Sequence, residues 1–226
     1  MTTLPKVQAW SYSRWSDYDQ CPSKFMYKHL MKLPDPGNAA MARGNAIHKL
    51  AEDFVKGKTK KLPPELAGVK DQIAHMRDNN AIAEQMWGFK NSWDWIGRSG
   101  WFGDDVWFRA KADVVVTYDD DTLLLVDWKT GKKYLSNEDQ VRLFALAGFK
   151  RFPNVTEVDT RLFYTDSPAD DNEIQFTYTL ADAKLIQKDW DKKVTPMFKD
   201  RKFAPKPNQW CSRCAFSKGN GGPCRF

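Results

Sequence analysis

Asp113, Asp127 and Lys129 are the side chains whose types and spacing could do chemistry together. They lie in KADVVVTYDDDTLLLVDWK, residues 111–129, where two β-rich runs flank the turn signal Asp119-Asp120-Asp121. A turn centred on Asp120 sets Asp113 directly opposite Asp127, whereas a bulge in the turn would shift that register by one. Opposed residues have Cβ atoms ~4.5–5.5 Å apart, so two carboxylates there repel. Side chains alternate along a strand, and Lys129 therefore projects from the face of Asp127. A divalent cation relieves the repulsion, and hard oxygen donors suit Mg²⁺ or Mn²⁺. The chemistry implied is metal-dependent hydrolysis of phosphodiesters.

Asp-x-Lys by itself is common in soluble proteins, and its weight comes from its setting. Leu123, Leu124, Leu125 and Val126 form a continuous apolar run, which reads as a strand covered on both faces. Charged groups at the end of such a strand are costly unless paired or bound to metal. Other groups could join them. His48 lies one residue off the apolar stripe Ile47, Leu50, Ala51, Phe54, Val55 of an amphipathic helix, with Gly44 and Glu52 on its face. A helix histidine satisfied by neighbours is the simpler alternative for it. Gly44 costs that helix about 1 kcal/mol relative to Ala, which hints at a close approach. Gln140 and Phe144 stand four apart on a helix expected to open at Ser136 and run to about Arg151. Glu84, in a strand ahead of the hairpin, is either an added acid or an exposed strand carboxylate.

These groups need elements to hold them. Residues 11–33 read as helix restarted near Cys21-Pro22, and Pro34-Asp35-Pro36-Gly37 breaks it. A helix is expected over 65–79. Strands are expected over 81–89, 106–118, 161–165 and 174–178, and a further helix from Ala181 to about Lys202. The chain of 226 residues and 26.1 kDa is long enough to bury a core as one domain, 1–226. A net charge of +6 and a pI near 9.0 suit an anionic partner such as nucleic acid. No apolar run could span a bilayer, and MTTLPKVQAW lacks the pattern of a secretion signal. A reducing compartment then favours metal ligation over disulfides for the four cysteines, Cys21, Cys211, Cys214 and Cys224. Their spacing fits tetrahedral zinc as well as an iron–sulfur cluster. Either would clip the two chain ends, segments 1–35 and 203–226, together and order a tail that is otherwise too polar to fold.

In order along the chain, Tyr12-Ser13, Cys21-Pro22, Gly44-x-x-x-His48, Lys111-Ala112-Asp113, Asp127-Trp128-Lys129-Thr130-Gly131, Gln140-x-x-x-Phe144 and Cys211-x-x-Cys214…Cys224 resemble the RecB-type branch of the PD-(D/E)XK nuclease superfamily. The likeness is to its compact iron–sulfur members, which include CRISPR-adaptation nucleases and single-domain phage exonucleases. It covers nearly the whole chain. The resemblance implies an α/β, restriction-endonuclease-like core: a central mixed β-sheet flanked by helices, with the termini joined by a four-cysteine metal cluster. It implies Asp113, Asp127, His48 and the Trp128 main-chain carbonyl as ligands of Mg²⁺ or Mn²⁺. Lys129 would orient or deprotonate the attacking water, and Gln140 would position the site or the DNA. Cys21, Cys211, Cys214 and Cys224 would hold a 4Fe–4S cluster, with structural Zn²⁺ as the alternative. The implied activity is DNA hydrolysis, exonucleolytic rather than endonucleolytic, on single strands or duplex ends in the cytoplasm of a bacterium or phage-infected cell. A non-cleaving DNA-binding or assembly subunit, partnered in recombination or spacer acquisition, is the rival reading. The chain departs from the family at Phe144, where tyrosine is usual, and in lacking a glycine ahead of Asp113.

Ten tryptophans are many for this length. Trp93, Trp95 and Trp101, interleaved with Arg98, read either as a stacking surface for unpaired bases or as core anchors. Among the basic runs Lys56–Lys61, Lys129–Lys133 and Lys199–Lys206, the Lys132-Lys133 pair beside Lys129 is the one expected to contact phosphates.

Overall fold

Every residue of Leu123–Val126 is 2 % exposed or less, because both faces of the strand that carries them are covered. The computed structural model describes residues 6–97, 100–118, 121–134 and 137–226. The turn residues Asp119 and Asp120, the expected helix start Ser136 and the expected DNA contact Arg98 lie outside the described residues. Five strands form one sheet in chain order: β1 (Ile82–Phe89), β2 (Phe108–Tyr118), β3 (Thr122–Lys129), β4 (Glu157–Tyr164) and β5 (Glu173–Thr179). Neighbours are antiparallel except β3 and β4, which run parallel. A parallel pair requires a crossover, and the helix α5 (Asn137–Arg151) makes it.

Val114, Val116, Leu124, Val126 and Trp128 turn to one face and pack with α3 (Ala39–Val55) and α4 (Lys70–Asp78) through Ile47, Ala51, Phe54, Ile73 and Met76. Leu123 and Leu125 turn to the other face, under α5. There a Cβ on Gly148 would come within 2.9 Å of Leu123 Cδ2 and 3.3 Å of Leu125 Cδ1, so the helix lies close on the sheet. The hairpin pairs Val114 with Val126 and Tyr118 with Thr122, the register expected from a turn at Asp120. Carried one step further, it sets Asp113 across from Asp127.

One expected helix is divided. Residues 64–69 form a 3₁₀ turn (Pro64–Val69) before α4. The boundary falls at Val69, whose backbone (φ −118°, ψ 25°) leaves the helical range, and the neighbouring Gly68 packs closely, a Cβ there coming to 3.3 Å from the Ser167 carbonyl. The mixed sheet flanked by helices is the α/β, restriction-endonuclease-like arrangement expected.

By its internal packing the chain separates into two compact units, residues 39–188 and a unit made from both chain ends, 1–38 with 189–226. The sheet belongs to the first. In the second, Ser11 caps α1 (Tyr12–Gln20) by accepting the Arg14 N–H. Pro22 opens α2 (Pro22–Phe25), which continues as a π-helical turn (Met26–Leu30). Against these lies the end of α6 (Leu180–Lys199). Trp190 stacks on Trp10 at 5.5 Å and meets Trp15 edge-on at 4.8 Å. Ser23 Oγ donates to the Phe203 carbonyl at 2.6 Å, and Phe25 stacks on Phe203 at 5.9 Å. The polar tail is ordered by its own backbone: the Phe226 carbonyl accepts from Lys218 at 2.7 Å, and only a glycine fits at 222, where a Cβ would strike the Phe216 backbone. No helix among the described residues is long and apolar enough to cross a membrane.

Asp17 is the polar hub of this unit, contacting Lys24 at 2.7 Å, His29 at 2.8 Å and Lys28 at 3.3 Å. Burial raises its pKa, but the His29 and Lys24 hydrogen bonds and the lysine charges outweigh it and hold the carboxyl far below 3.8. A depressed carboxyl contributes stability above the unfolded-state value and loses it as pH falls through the folded-state value. Asp17→Asn is expected to cost roughly 1.5–3 kcal/mol at neutral pH and to flatten the acid limb of thermal stability. Melting curves collected from neutral pH to below 3.8 check both.

Candidate active site

Asp113 and Asp127 are 7 % and 5 % exposed, which is unusual for carboxylates and demands partners. Asp113 Oδ2 accepts the Trp128 backbone N–H at 2.9 Å and lies 3.1 Å from His48 Nδ1. Asp127 Oδ1 accepts from Gln140 Nε2 at 2.9 Å, and Lys129 Nζ sits 2.5 Å from Asp127 Oδ2. Gln140 Oε1 in turn accepts from Lys129 Nζ at 2.8 Å, closing a ring of three side chains. The five groups thus come from α3, β2, β3 and α5. Each element contributes by its period: His48 follows the buried Ile47 at the edge of the α3 stripe, and Gln140 precedes the buried Val141.

The electrostatics follow from this packing. Burial pushes the Asp127 carboxyl up, Lys129 opposes, and Asp113 pushes it further up; the net direction is upward. Burial disfavours the His48 imidazolium, but the hydrogen bond and charge of Asp113, with Asp127 behind it, hold its pKa above the ordinary value. Burial and the Asp113 charge thus both act on Asp127, against Lys129.

Among the described residues no three His, Cys, Asp or Glu side chains already form a metal cage. The donor set suits a divalent cation all the same. Asp127 Oδ2 touches the Lys129 ammonium but accepts no well-aligned hydrogen bond, so a buried oxygen keeps unused acceptor capacity. The N–H and C=O of an extended residue point to the same edge of the strand, which turns the Trp128 carbonyl toward the Asp113 side, as its N–H is. Phe144 is 7 % exposed and is part of the core.

The loop after Lys129 holds residues that sequence reasoning missed. Asp166 accepts the Gly131 N–H at 2.8 Å and forms a two-point pair with Arg43 of α3, at 2.8 and 2.5 Å. Gly131 has φ +82°, a left-handed turn that glycine takes freely. A Cβ on Gly44 would stand 3.5 Å from Thr130 Oγ1, an ordinary contact distance, so this loop passes Gly44 without requiring a glycine there. Nothing about Asp166 in a Thr-Asp-Ser-Pro turn signals this role; only the meeting of β4's end with α3 does. Lys132 is exposed, whereas Lys133 contacts Asp171 at 2.5 Å and lies over the Tyr164 ring. Glu84 has φ +60° and pairs with Lys111 on β2. Of the three tryptophans, Trp93 is 1 % exposed and packs on Trp107 and Phe108 as a core anchor, while Trp95 and Trp101 are partly exposed.

The four cysteines all belong to the unit of the chain ends and are unpaired. Cys21 Sγ accepts the Lys206 N–H at 3.4 Å and Cys211 Sγ the Asn208 N–H at 3.3 Å. Asn208 also donates to the Gln20 carbonyl at 3.1 Å, so one residue ties the neighbour of Cys21 to Cys211. The Tyr27 phenol is pushed up by burial and then by Cys224 and Cys21, which both lie within its electrostatic reach.

Two opposed acids and a lysine thus meet at the end of a buried strand of a mixed sheet. The chain belongs to the PD-(D/E)XK nuclease superfamily, whose model matches residues 9–218. Among solved structures it is similar to a candidate exonuclease from Eubacterium rectale, with 10 % identity, 92 % of this chain and 87 % of that chain covered, and a TM-score of 0.51. It is also similar to LHK-Exo, an alkaline exonuclease from Laribacter hongkongensis, at 12 % identity, 86 % and 91 % coverage and a TM-score of 0.42. LHK-Exo in complex with dAMP matches at 14 % identity, 84 % and 86 % coverage and a TM-score of 0.46. No curated protein matches the chain.

Gln140→Leu keeps the side chain's size and removes both bridging hydrogen bonds. Hydrogen bonds to charged groups contribute about 1.5–3 kcal/mol, so a drop of that order in unfolding free energy is expected. Urea titration measures it, and stability equal to the wild type would show that the bridge carries nothing.

Proposed function

We propose that this chain is a divalent-metal-dependent deoxyribonuclease that removes nucleotides from strand ends. The observation that carries the reading is the buried Asp113–Asp127 pair with Lys129 held against it by Gln140. The family match supports a nuclease; the exonucleolytic mode rests on the sequence resemblance. Asp113, Asp127, His48 and the Trp128 carbonyl would hold Mg²⁺ or Mn²⁺, and imidazole among the donors favours Mn²⁺. When bound, the cation supplies Lewis acidity at the phosphate and acidifies the attacking water.

The chain's own groups do the rest. Asp127 aims Lys129 through their contact, and Gln140 fixes both by donating to one and accepting from the other. From that position the Lys129 ammonium orients the water and meets charge developing on the phosphate. His48 is oriented by its contact with Asp113. Asp166 and Arg43 hold the turn that leads to Lys132 and Lys133, which contact the phosphates of the bound strand. Arg98 is assigned to the same backbone contact. A non-cleaving subunit would have no use for the Lys129–Gln140–Asp127 ring. The family match runs through both compact units, and we read them as one nuclease domain.

Cys21, Cys211, Cys214 and Cys224 would hold a 4Fe–4S cluster. Backbone N–H donors to two of the sulfurs support a thiolate-rich centre, since such bonds tune clusters of this kind. The cluster would be structural and close the unit formed by the chain ends.

End-labelled single- and double-stranded oligonucleotides should be shortened in Mg²⁺ or Mn²⁺, with EDTA stopping the reaction and Mn²⁺ restoring it. Lys129→Ala and Asp127→Ala should each lower the rate on the order of 10²–10⁴-fold, with circular dichroism unchanged. Persisting activity in EDTA would sink the mechanism. Protein purified anaerobically should show broad visible absorption that Cys211→Ser bleaches; a colourless wild type containing zinc would replace the iron assignment with zinc.

A further inference from the structure

A cleft of about 520 Å³ opens beside the edge strand β1, and the nuclease mechanism makes no use of it. Trp95, Trp101, Phe102 and Phe152 line it, with Arg151 and Glu84 at its polar positions. Its size lies within the range of about 300–1,000 Å³ typical of small-molecule sites. The Arg151 guanidinium lies 3.6 Å over the Trp95 ring and 4.7 Å over the Phe152 ring. Trp101 is fixed by Arg109, which donates from Nε to its carbonyl at 2.8 Å. Phe102 is 81 % exposed, and Met86 and Ile82 beside it in the same lining are 45 % and 55 % exposed. Burial in the core explains Trp93 but not this group. Trp95 also carries a buried indole N–H with no hydrogen-bond partner, a costly group to leave unmet.

The loop presenting these rings is anchored to the sheet. Gly88 admits it, since a Cβ there would strike the Gly100 carbonyl, and the Ile96 N–H donates to the Gly88 carbonyl at 3.0 Å. The floor of the cleft is formed in part by β2, the strand that carries Asp113. Asp113, Val115 and Thr117 alternate onto one face of β2, and Val115 and Thr117 floor the cleft. Val115 stands about 7 Å along the strand from Asp113. Glu84 holds the position of β1 between Ala83, paired with Val114, and Gln85, paired with Ala112, which puts it across from Asp113.

We propose that this cleft receives an unpaired nucleobase of the strand bound at the acids, stacked among Trp95, Trp101 and Phe102. An aromatic wall with an interleaved guanidinium is the chemistry that holds a flat π-face without reading its sequence. The proposal rests on the nuclease reading, and its test is separate from cleavage. Fluorescence anisotropy in EDTA would compare a labelled thymidine oligonucleotide with an abasic oligomer of equal length. Wild type should bind the thymidine oligomer about tenfold more tightly, the order of one base stacked on one aromatic ring. Trp101→Ala and the exposed Phe102→Ala should lose that preference and leave abasic binding unchanged, while Trp101→Phe retains it. Equal wild-type affinities, or variants that weaken both oligomers alike, overturn the cleft as a base receptor. Binding of neither oligomer overturns it too. Base-dependent binding by a wild type that never cleaves with Mg²⁺ or Mn²⁺ would uphold the cleft and discard the nuclease reading instead. Thymidine monophosphate competing at equal nucleotide concentration assigns the base to a free nucleotide; failure to compete assigns it to a strand.

Discussion

Two carboxylates facing each other inside a sheet set the problem around which this molecule is built. At about 5 Å and an effective dielectric near 20, their repulsion is roughly 3 kcal/mol, a large share of the stability of a domain. Four groups answer it: the Trp128 N–H and His48 at Asp113, Lys129 and Gln140 at Asp127. The compensation is incomplete, as the raised Asp127 carboxyl and its oxygen without an aligned hydrogen bond both record. Incomplete compensation is what a cation site requires, because a fully satisfied pair would resist a metal.

The helices can be understood from that demand. α5 must lie close on β3 to bring Gln140 to the acids, and Gly148 permits the close packing. The same helix ends at Arg151, about 16 Å away by helical rise, under the aromatic cleft. One rigid element thus joins the acids to the surface where a base would rest. α3 is held on the opposite side by Arg43 and Asp166, a pair that also fixes the turn after Lys129.

The unit of the chain ends obeys a different economy. Among its described residues it has no strand, and it relies on aromatic packing around Trp190, the Asp17 ion cluster and a tail folded on its own carbonyls. Its cysteines lie where the two ends meet, with backbone donors already turned toward Cys21 and Cys211.

Much of this was legible in the residues. An apolar run as unbroken as Leu123–Val126 admits only a strand covered on both faces, and the turn beside it dictates the register that opposes Asp113 and Asp127. Periodicity placed His48 at the edge of a buried stripe, and a capping signal placed Gln140 on a helix. The Asp166–Arg43 clamp, the division of the helix at Val69 and the separate fates of Trp93, Trp95 and Trp101 were not legible. Strand and helix periods, and turns, act over a few neighbouring residues, so sequence by itself determined the elements and the pairing of acids within one hairpin. Which side chains distant in the chain come to touch is decided by packing, and only the tertiary structure settles it: whether a tryptophan is filled against by Trp107 or left to line a cleft depends on partners that no local pattern encodes.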